Sequence, residues 1–121
     1  TVADNNPFSP EDGEISVSVL ANLVIIFSES MDPDTVTTNT GSGNTSCSGT
    51  IQLSKTDFSN CVAMNASSPA ASVGNTTFTL DPFGTLSKNQ TVYKIRITTG
   101  VKDTSGNKLS VQIEKSFTTI N

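Results

Sequence analysis

Apolar and polar residues alternate along most of this chain, and the period of the alternation is two. The clearest case is the segment from Val92 to Thr98, where odd positions are apolar and most even positions are polar. This pattern is typical of an antiparallel strand with one buried face. No window of about 12 residues repeats apolar side chains at the 3.6-residue period of a helix. The chain is therefore predicted to be all-β.

Six further segments have the composition of strands. In the first of them, Ile15, Val17 and Val19 are predicted to face the same way. The segment from Leu23 to Ser28 is apolar on both faces, which is typical of a strand in the middle of its sheet. The seven predicted strands lie at residues 15–19, 23–28, 50–54, 61–65, 76–80, 91–99 and 111–119. Their spacing predicts an antiparallel sandwich of about seven strands.

Two of the segments between strands have distinct compositions. Thr37 to Thr50 is rich in Gly, Ser, Thr and Asn, and it is predicted to form a long mobile loop. Val101 to Leu109 is predicted to be a hairpin loop. There Asp103 is suited to accept backbone N–H bonds, and Gly106 is suited to a position with positive φ.

Composition and charge narrow the classes of function. The chain contains 18 Thr, 17 Ser and 11 Asn, no His and no Trp, and its net charge is −4. Its seven basic residues are scattered, whereas a nucleic-acid or anionic-membrane surface needs them clustered. The longest apolar run, Leu23 to Phe27, is too short to span a membrane. Because the chain begins at Thr1, we expect a processed chain or a module cut from a longer protein.

The two cysteines, Cys47 and Cys61, have 13 residues between them. A strand-like run followed by turn-forming residues lets both ends meet across neighbouring strands, so a disulfide is favoured over two free thiols. A disulfide implies an oxidising compartment. Two cysteines without histidine fall short of a zinc ligand set.

The residues for common catalytic chemistry are missing from the sequence. Without His there is neither a Ser-His-Asp triad nor the commonest general base. No Gly-x-Ser-x-Gly nucleophile elbow occurs. Pairs of carboxylates exist, but a glycosidase needs them in a cleft with separated pKa values. We therefore expect no enzymatic activity and no cofactor.

One acidic segment raises the possibility of a metal site. Glu29, Asp32 and Asp34 lie within six residues, and Asp32 and Asp34 together with Asp103 offer oxygen ligands suited to Ca²⁺. The favoured alternative is structural. In it Asp32 caps a helical turn that begins at Pro33, and Met31 turns into the core.

Several sequence blocks, in a fixed order, resemble a known family. They are "SPEDGE", "NLVIIFSESMD", "LSKNQTVYKIRI", "GVKDTSGNKL" and "SFTT". This series is similar to the bacterial Ig-like domains of S-layer and other surface proteins, the SbsA type. The resemblance implies one Ig-like β-sandwich over residues 1–121 with Greek-key topology. It also implies that Tyr93 acts as a tyrosine corner, its ring in the core and its hydroxyl bonded to nearby backbone.

The resemblance implies a non-catalytic extracellular module, a structural spacer or adhesive domain at a bacterial cell surface. Its expected partners are neighbouring domains of the same chain, with no nucleic acid and no membrane insertion. The alternative is a ligand-binding module for a host matrix protein or glycan that uses the Gly/Ser loop and neighbouring strand edges. A calcium-stabilised domain is the remote alternative.

Overall fold

A computed structural model describes residues 8–9, 12–40, 45–65 and 69–121. These residues form eight strands and one short 3₁₀ helix of Pro33–Thr35. The strands are β1 (Phe8–Ser9), β2 (Glu14–Val17), β3 (Leu23–Ile26), β4 (Ile51–Ser54), β5 (Ala70–Ser72), β6 (Thr77–Leu80), β7 (Val92–Ile97) and β8 (Ile113–Thr119).

The strands form two four-stranded sheets, ordered β1-β3-β6-β5 and β2-β8-β7-β4. Five of the seven connections between consecutive strands cross from one sheet to the other. The two sheets correspond to the A-B-E-D and G-F-C sheets of an immunoglobulin sandwich, with β2 as an added edge strand beside β8. The predicted Ig-like sandwich is therefore confirmed. One pair departs from the antiparallel expectation, because β2 runs parallel to β8.

The core lies between the two sheets and follows the period-two pattern. On β7, Tyr93, Ile95 and Ile97 are buried, and on β3 Leu23 and Ile25 are fully buried. Aromatic rings join strands within each half of the core. Phe27 and Phe78 meet edge to face at 5.7 Å, and Tyr93 stacks on Phe117 at 5.6 Å. As predicted, β3 is central in its sheet, between β1 and β6.

All four residues of β4 are buried although β4 is an edge strand. Its free side is covered by the two segments that carry Cys47 and Cys61. The Gln52 amide donates to the carbonyls of Cys47 and Gly49, and the Val62 N–H donates to the Leu53 carbonyl at 2.7 Å. An uncovered edge would offer its backbone groups to another chain.

Two strand predictions were wrong. Ile15 does not face the core but is 71% exposed, because Ser16 has φ +57° and interrupts the alternation along β2. Residues 61–65 do not form a strand; Met64 makes only isolated bridges to Thr40 and Pro82. The three-residue strand β5 was not predicted from the sequence.

The described ends of the predicted loop Thr37–Thr50 are fastened to the sandwich. The Thr50 hydroxyl donates to the Thr35 carbonyl at 2.6 Å, and the Ile51 N–H donates to the Thr37 carbonyl at 2.9 Å. Residues 41–44 of this loop, and Pro10 and Glu11 of the first family block, lie outside the described residues.

Candidate functional site

The acidic segment after β3 forms a capped turn at one end of the sandwich. Asp32 has extended backbone angles, and its Oδ1 accepts the Asp34 N–H at 3.1 Å. Pro33 occupies the first helical position, where its missing N–H costs nothing. Met31 is 2% exposed and belongs to the core. The carboxylate of Asp32 thus serves the local backbone.

The fold brings this turn against the loop between β7 and β8, which is some 70 residues away in sequence. Met31 forms an isolated bridge with Asp103, and the Asp32 N–H donates to the Lys102 carbonyl at 2.8 Å. The Thr104 N–H in turn donates to the Ser30 carbonyl at 3.2 Å. The two acidic segments therefore meet in space, which sequence distance alone did not indicate.

Asp103 organises the loop between β7 and β8. Its Oδ1 accepts the N–H groups of Ser105 and Asn107, each at 2.9 Å, and Gly106 closes the turn with φ +88°. The pKa of Asp103 is lowered to about 2. The largest cause is the hydrogen bond from the Asn107 backbone N–H, and the second is a hydrogen bond with the Glu29 side chain. A carboxylate that accepts several hydrogen bonds favours its charged form.

These contacts define a hydrogen-bonded turn. Across the described ranges of the chain, no group of three or more His, Cys, Asp or Glu side chains is placed to hold a metal ion. Of the three candidate calcium ligands, Asp32 and Asp103 each direct a carboxylate oxygen at backbone N–H groups, and Asp34 is exposed.

Tyr93 joins β7 to the segment that precedes it. Its ring is 2% exposed, and its hydroxyl accepts the Ser87 N–H at 2.8 Å. The Ser87 carbonyl accepts the Thr119 hydroxyl at 2.7 Å, so one residue ties together β7, β8 and the preceding loop. A hydroxyl bonded to backbone six residues upstream is the geometry of a tyrosine corner.

A disulfide joins Cys47 to Cys61 with a Cα–Cα separation of 4.9 Å. The disulfide lies beside β4, and the two segments that it joins cover this edge of the sheet. It therefore fixes the segment that protects an otherwise open strand.

A pocket of about 430 Å³ opens next to the disulfide. Phe83 lies at its rim and is 48% exposed. The Lys55 ammonium bonds the Ser87 hydroxyl at 2.6 Å on one wall, and Asn60 and Thr85 present exposed polar side chains. The pocket thus combines one accessible aromatic ring with several hydrogen-bonding groups, the mixture usual in small-ligand sites.

Sequence reasoning did not find this pocket. Most of its lining residues come from the segments after β4 and after β6, with Thr45 before β4 and Tyr93 on β7 completing it, and these segments meet only in the folded chain. The one available signal was Phe83, an aromatic residue in a turn after Pro82. The described residues contain no helix that is long and apolar enough to cross a membrane.

Comparison with solved structures shows the same fold at low sequence identity. A structure of domains 1–6 of the surface layer protein SbsC matches with a TM-score of 0.59 and 19% identity, over 85% of this chain and 12% of that one. CopC from Methylosinus trichosporium OB3b matches with a TM-score of 0.62 and 16% identity, over 99% of this chain and 91% of that one. This chain spans about an eighth of the length of two SbsC structures and 23% of a third, which contains the N-terminal part of that protein.

Comparison with curated protein sequences finds no significant match. At the level of families, residues 6–119 match the bacterial Ig-like domain. The match covers both sheets and includes the cysteine pair and the two turns at the end of the sandwich. The chain belongs to the bacterial Ig-like domain family.

Proposed function

We propose that this chain is a non-catalytic extracellular module that acts as a structural spacer in a bacterial surface protein. The observation that carries the proposal is the parallel pairing of β2 with β8. Because the two strands run in the same direction, the segment before β2 and the segment after β8 lie at opposite ends of the sheet. The chain thus enters this strand pair at one end of the sheet and leaves it at the other, as a spacer requires.

The covalent structure supports an oxidising compartment. Disulfides persist outside the cytoplasm and are rare inside it, and Cys47–Cys61 is placed where it stabilises a sheet edge. The likeness to domains of the S-layer protein SbsC agrees with a place at the cell surface.

The chemistry of the described residues supports a role without catalysis. A poised acid or base has a pKa moved toward neutrality. In the described residues the one clearly shifted carboxyl, that of Asp103, has its pKa moved down to about 2 by the N–H groups of its own turn. The chain also contains no histidine.

The spacer proposal is tested by binding and by domain arrangement. The purified domain is immobilised and exposed to matrix proteins and to a glycan array, and we expect no saturable binding. In the parent protein, we expect tandem copies of the domain. Saturable binding that is lost when residues 40–46 are deleted would favour an adhesive role instead.

The pocket beside the disulfide favours a second candidate function, the recognition of a glycan. A sugar ring stacks on an exposed aromatic face while its hydroxyls bond amide and hydroxyl groups, and Phe83, Asn60 and Thr85 provide these. The test is Phe83→Ala on the glycan array. Val73→Ala is the matched control, because Val73 is exposed and lies outside the pocket. Glycan binding that survives Phe83→Ala would reject this site.

A further inference from the structure

We infer that the pocket beside the disulfide selects an acidic sugar and that Lys55 binds the sugar's carboxylate. The inference deepens the second candidate function, the recognition of a glycan, and rests on it. It names the chemical class of the ligand and the residue that determines this class.

The described walls of the pocket carry one charged group, the ammonium of Lys55. Lys55 is exposed, and among the described residues it forms no ion pair with a carboxylate. A cleft that carries charge of one sign attracts ligands of the opposite sign. Although the protein as a whole has a net charge of −4, this pocket therefore favours an anion.

The loop that presents Lys55 is strained and firmly held. Asp57 and Phe58 are consecutive residues with positive φ, at +55° and +65°, a conformation that is costly for a bulky side chain. The Ser54 hydroxyl accepts the Phe58 N–H at 3.0 Å and donates to the Asn60 carbonyl at 2.6 Å. Strain of this kind persists where surrounding contacts maintain it, and it is concentrated at binding sites.

This loop directs its charges to different sides. Lys55 and Asn60 lie at its two ends, and both line the pocket. Asp57 lies between them but turns away, and its carboxylate pairs with the Lys94 ammonium at 3.0 Å. Lys94 is on the outer face of β7, opposite to the buried face of that strand. The carboxylate of the loop is thus neutralised outside the pocket, and the cation stays inside it.

Two hydrogen-bond donors lie side by side for a carboxylate. The Lys55 ammonium donates to the Ser87 hydroxyl at 2.6 Å, which uses one of its three N–H groups. Because the hydroxyl oxygen is the acceptor in this bond, its own hydrogen is available to a ligand. A carboxylate here would accept from both groups, and such charge-assisted bonds are about twice as strong as neutral ones.

The other groups of the pocket suit the neutral part of a sugar. Phe83 is 48% exposed and offers an aromatic surface for a pyranose ring. Within the described chain, the Asn60 amide and the Thr85 hydroxyl form no hydrogen bond with another protein group, so both can bond sugar hydroxyls. The volume of about 430 Å³ lies within the range of small-ligand sites, about 300–1,000 Å³.

Titration of the full chain with matched sugars, followed by NMR of its backbone amides, tests the inference. The pairs are glucuronate with glucose and galacturonate with galactose, and each acid carries a carboxylate that its neutral partner lacks. We expect the acid of at least one pair to bind about tenfold more tightly than its partner and to shift the amides of Phe83 and Ser87. Acetate, a carboxylate without a ring, should bind about tenfold more weakly than that acid.

Substitutions of Lys55 test its role. Lys55→Gln should weaken binding of the acidic sugar about tenfold and leave that of the neutral sugar within about twofold. Lys55→Arg keeps the charge and should keep most of the preference. Lys108→Gln is the matched control, because it makes the same change in net charge at an exposed residue that lines a different cavity. It should preserve the preference, and the amide spectra show whether each variant is folded.

Equal affinities for acid and neutral sugar in both pairs, or equal losses from Lys55→Gln and Lys108→Gln, would overturn the inference. Acetate binding as tight as that of the acidic sugar would overturn it as well. In either case the glycan function stands if Phe83→Ala weakens the binding of neutral sugars. If none of the four sugars binds, the inference and the glycan function fail together, and the spacer proposal is unaffected.

Discussion

The hydroxyl of Tyr93 offers the sharpest test of how this sandwich is held together. Tyr93→Phe removes one oxygen and keeps the ring, which stacks on Phe117 at 5.6 Å with an interplanar angle of 16°. The core volume therefore stays nearly the same. The substitution removes the acceptor for the Ser87 N–H, which bonds the hydroxyl at 2.8 Å.

The cost depends on the new surroundings of the Ser87 N–H. Leaving a buried donor without an acceptor costs about 1–3 kcal/mol. Ser87 is partly buried, so water partly replaces the hydroxyl, and we expect a loss of about 1.5 kcal/mol in the free energy of unfolding. With an unfolding entropy of about 2.1 cal/mol/K per residue, a chain of 121 residues should melt about 6 °C lower.

Thermal and urea denaturation, followed by circular dichroism with the disulfide intact, measure this loss. Ser87→Ala is the matched control, because it removes the hydroxyl that Lys55 contacts and keeps the backbone N–H. We expect that control to change the free energy of unfolding by less than about 0.5 kcal/mol. If Tyr93→Phe melts with the parent, or if Ser87→Ala costs as much, the corner does not contribute in this way.

Four other perturbations have defined outcomes. Asp32→Ala should lower the free energy of unfolding by about 1 kcal/mol through loss of the cap. Asp32→Asn keeps a side-chain oxygen as acceptor and should retain most of the parent's stability. Equal melting temperatures for the parent and both variants would contradict the cap. The pKa of Asp103 is about 2 in the folded state and about 3.9 in an unfolded chain. Its contribution to stability is therefore complete above about pH 4 and is lost as the pH falls toward 2. Urea titrations over this window should show an acid-side loss that Asp103→Asn reduces, and identical pH profiles would exclude the effect. Val73 is 74% exposed with φ +52°, so Val73→Gly should stabilise by about 1 kcal/mol, while Val73→Ala, which keeps the strain, should gain little. Replacing Cys47 and Cys61 together with Ser should cost about 3 kcal/mol; a doubly substituted protein that melts like the oxidised parent would refute this estimate.

Local patterns in the sequence determined the parts of the fold that depend on near neighbours. Alternation along β7 determined which of its faces is buried, because successive side chains of a strand point to opposite sides. Asp32 before Pro33 predicted a capped turn, and Asp103 with Gly106 predicted a hairpin loop, because each makes its hydrogen bonds within five residues. These features needed no knowledge of the rest of the chain.

Local patterns failed where the backbone departs from the regular strand. The positive φ at Ser16 turned Ile15 outward, although its neighbours alternate as a strand should. The apolar residues Val62 and Met64 suggested a strand, but their segment packs beside β4 and is fixed by the disulfide. In both cases tertiary contacts outweighed a modest local preference.

The tertiary structure alone decided which distant segments meet. Only the folded chain places Met31 beside Asp103, joins the walls of the pocket around Phe83, and sets β2 parallel to β8. The physical reason is that a period-two pattern indicates which face of a strand is buried. It carries no information about which other strand will lie beside it, and that depends on the order of strands in the two sheets. The sequence determined the sandwich and its turns, and the three-dimensional arrangement determined which distant segments lie side by side at the acidic turns, at the pocket and at the edges of the sheets.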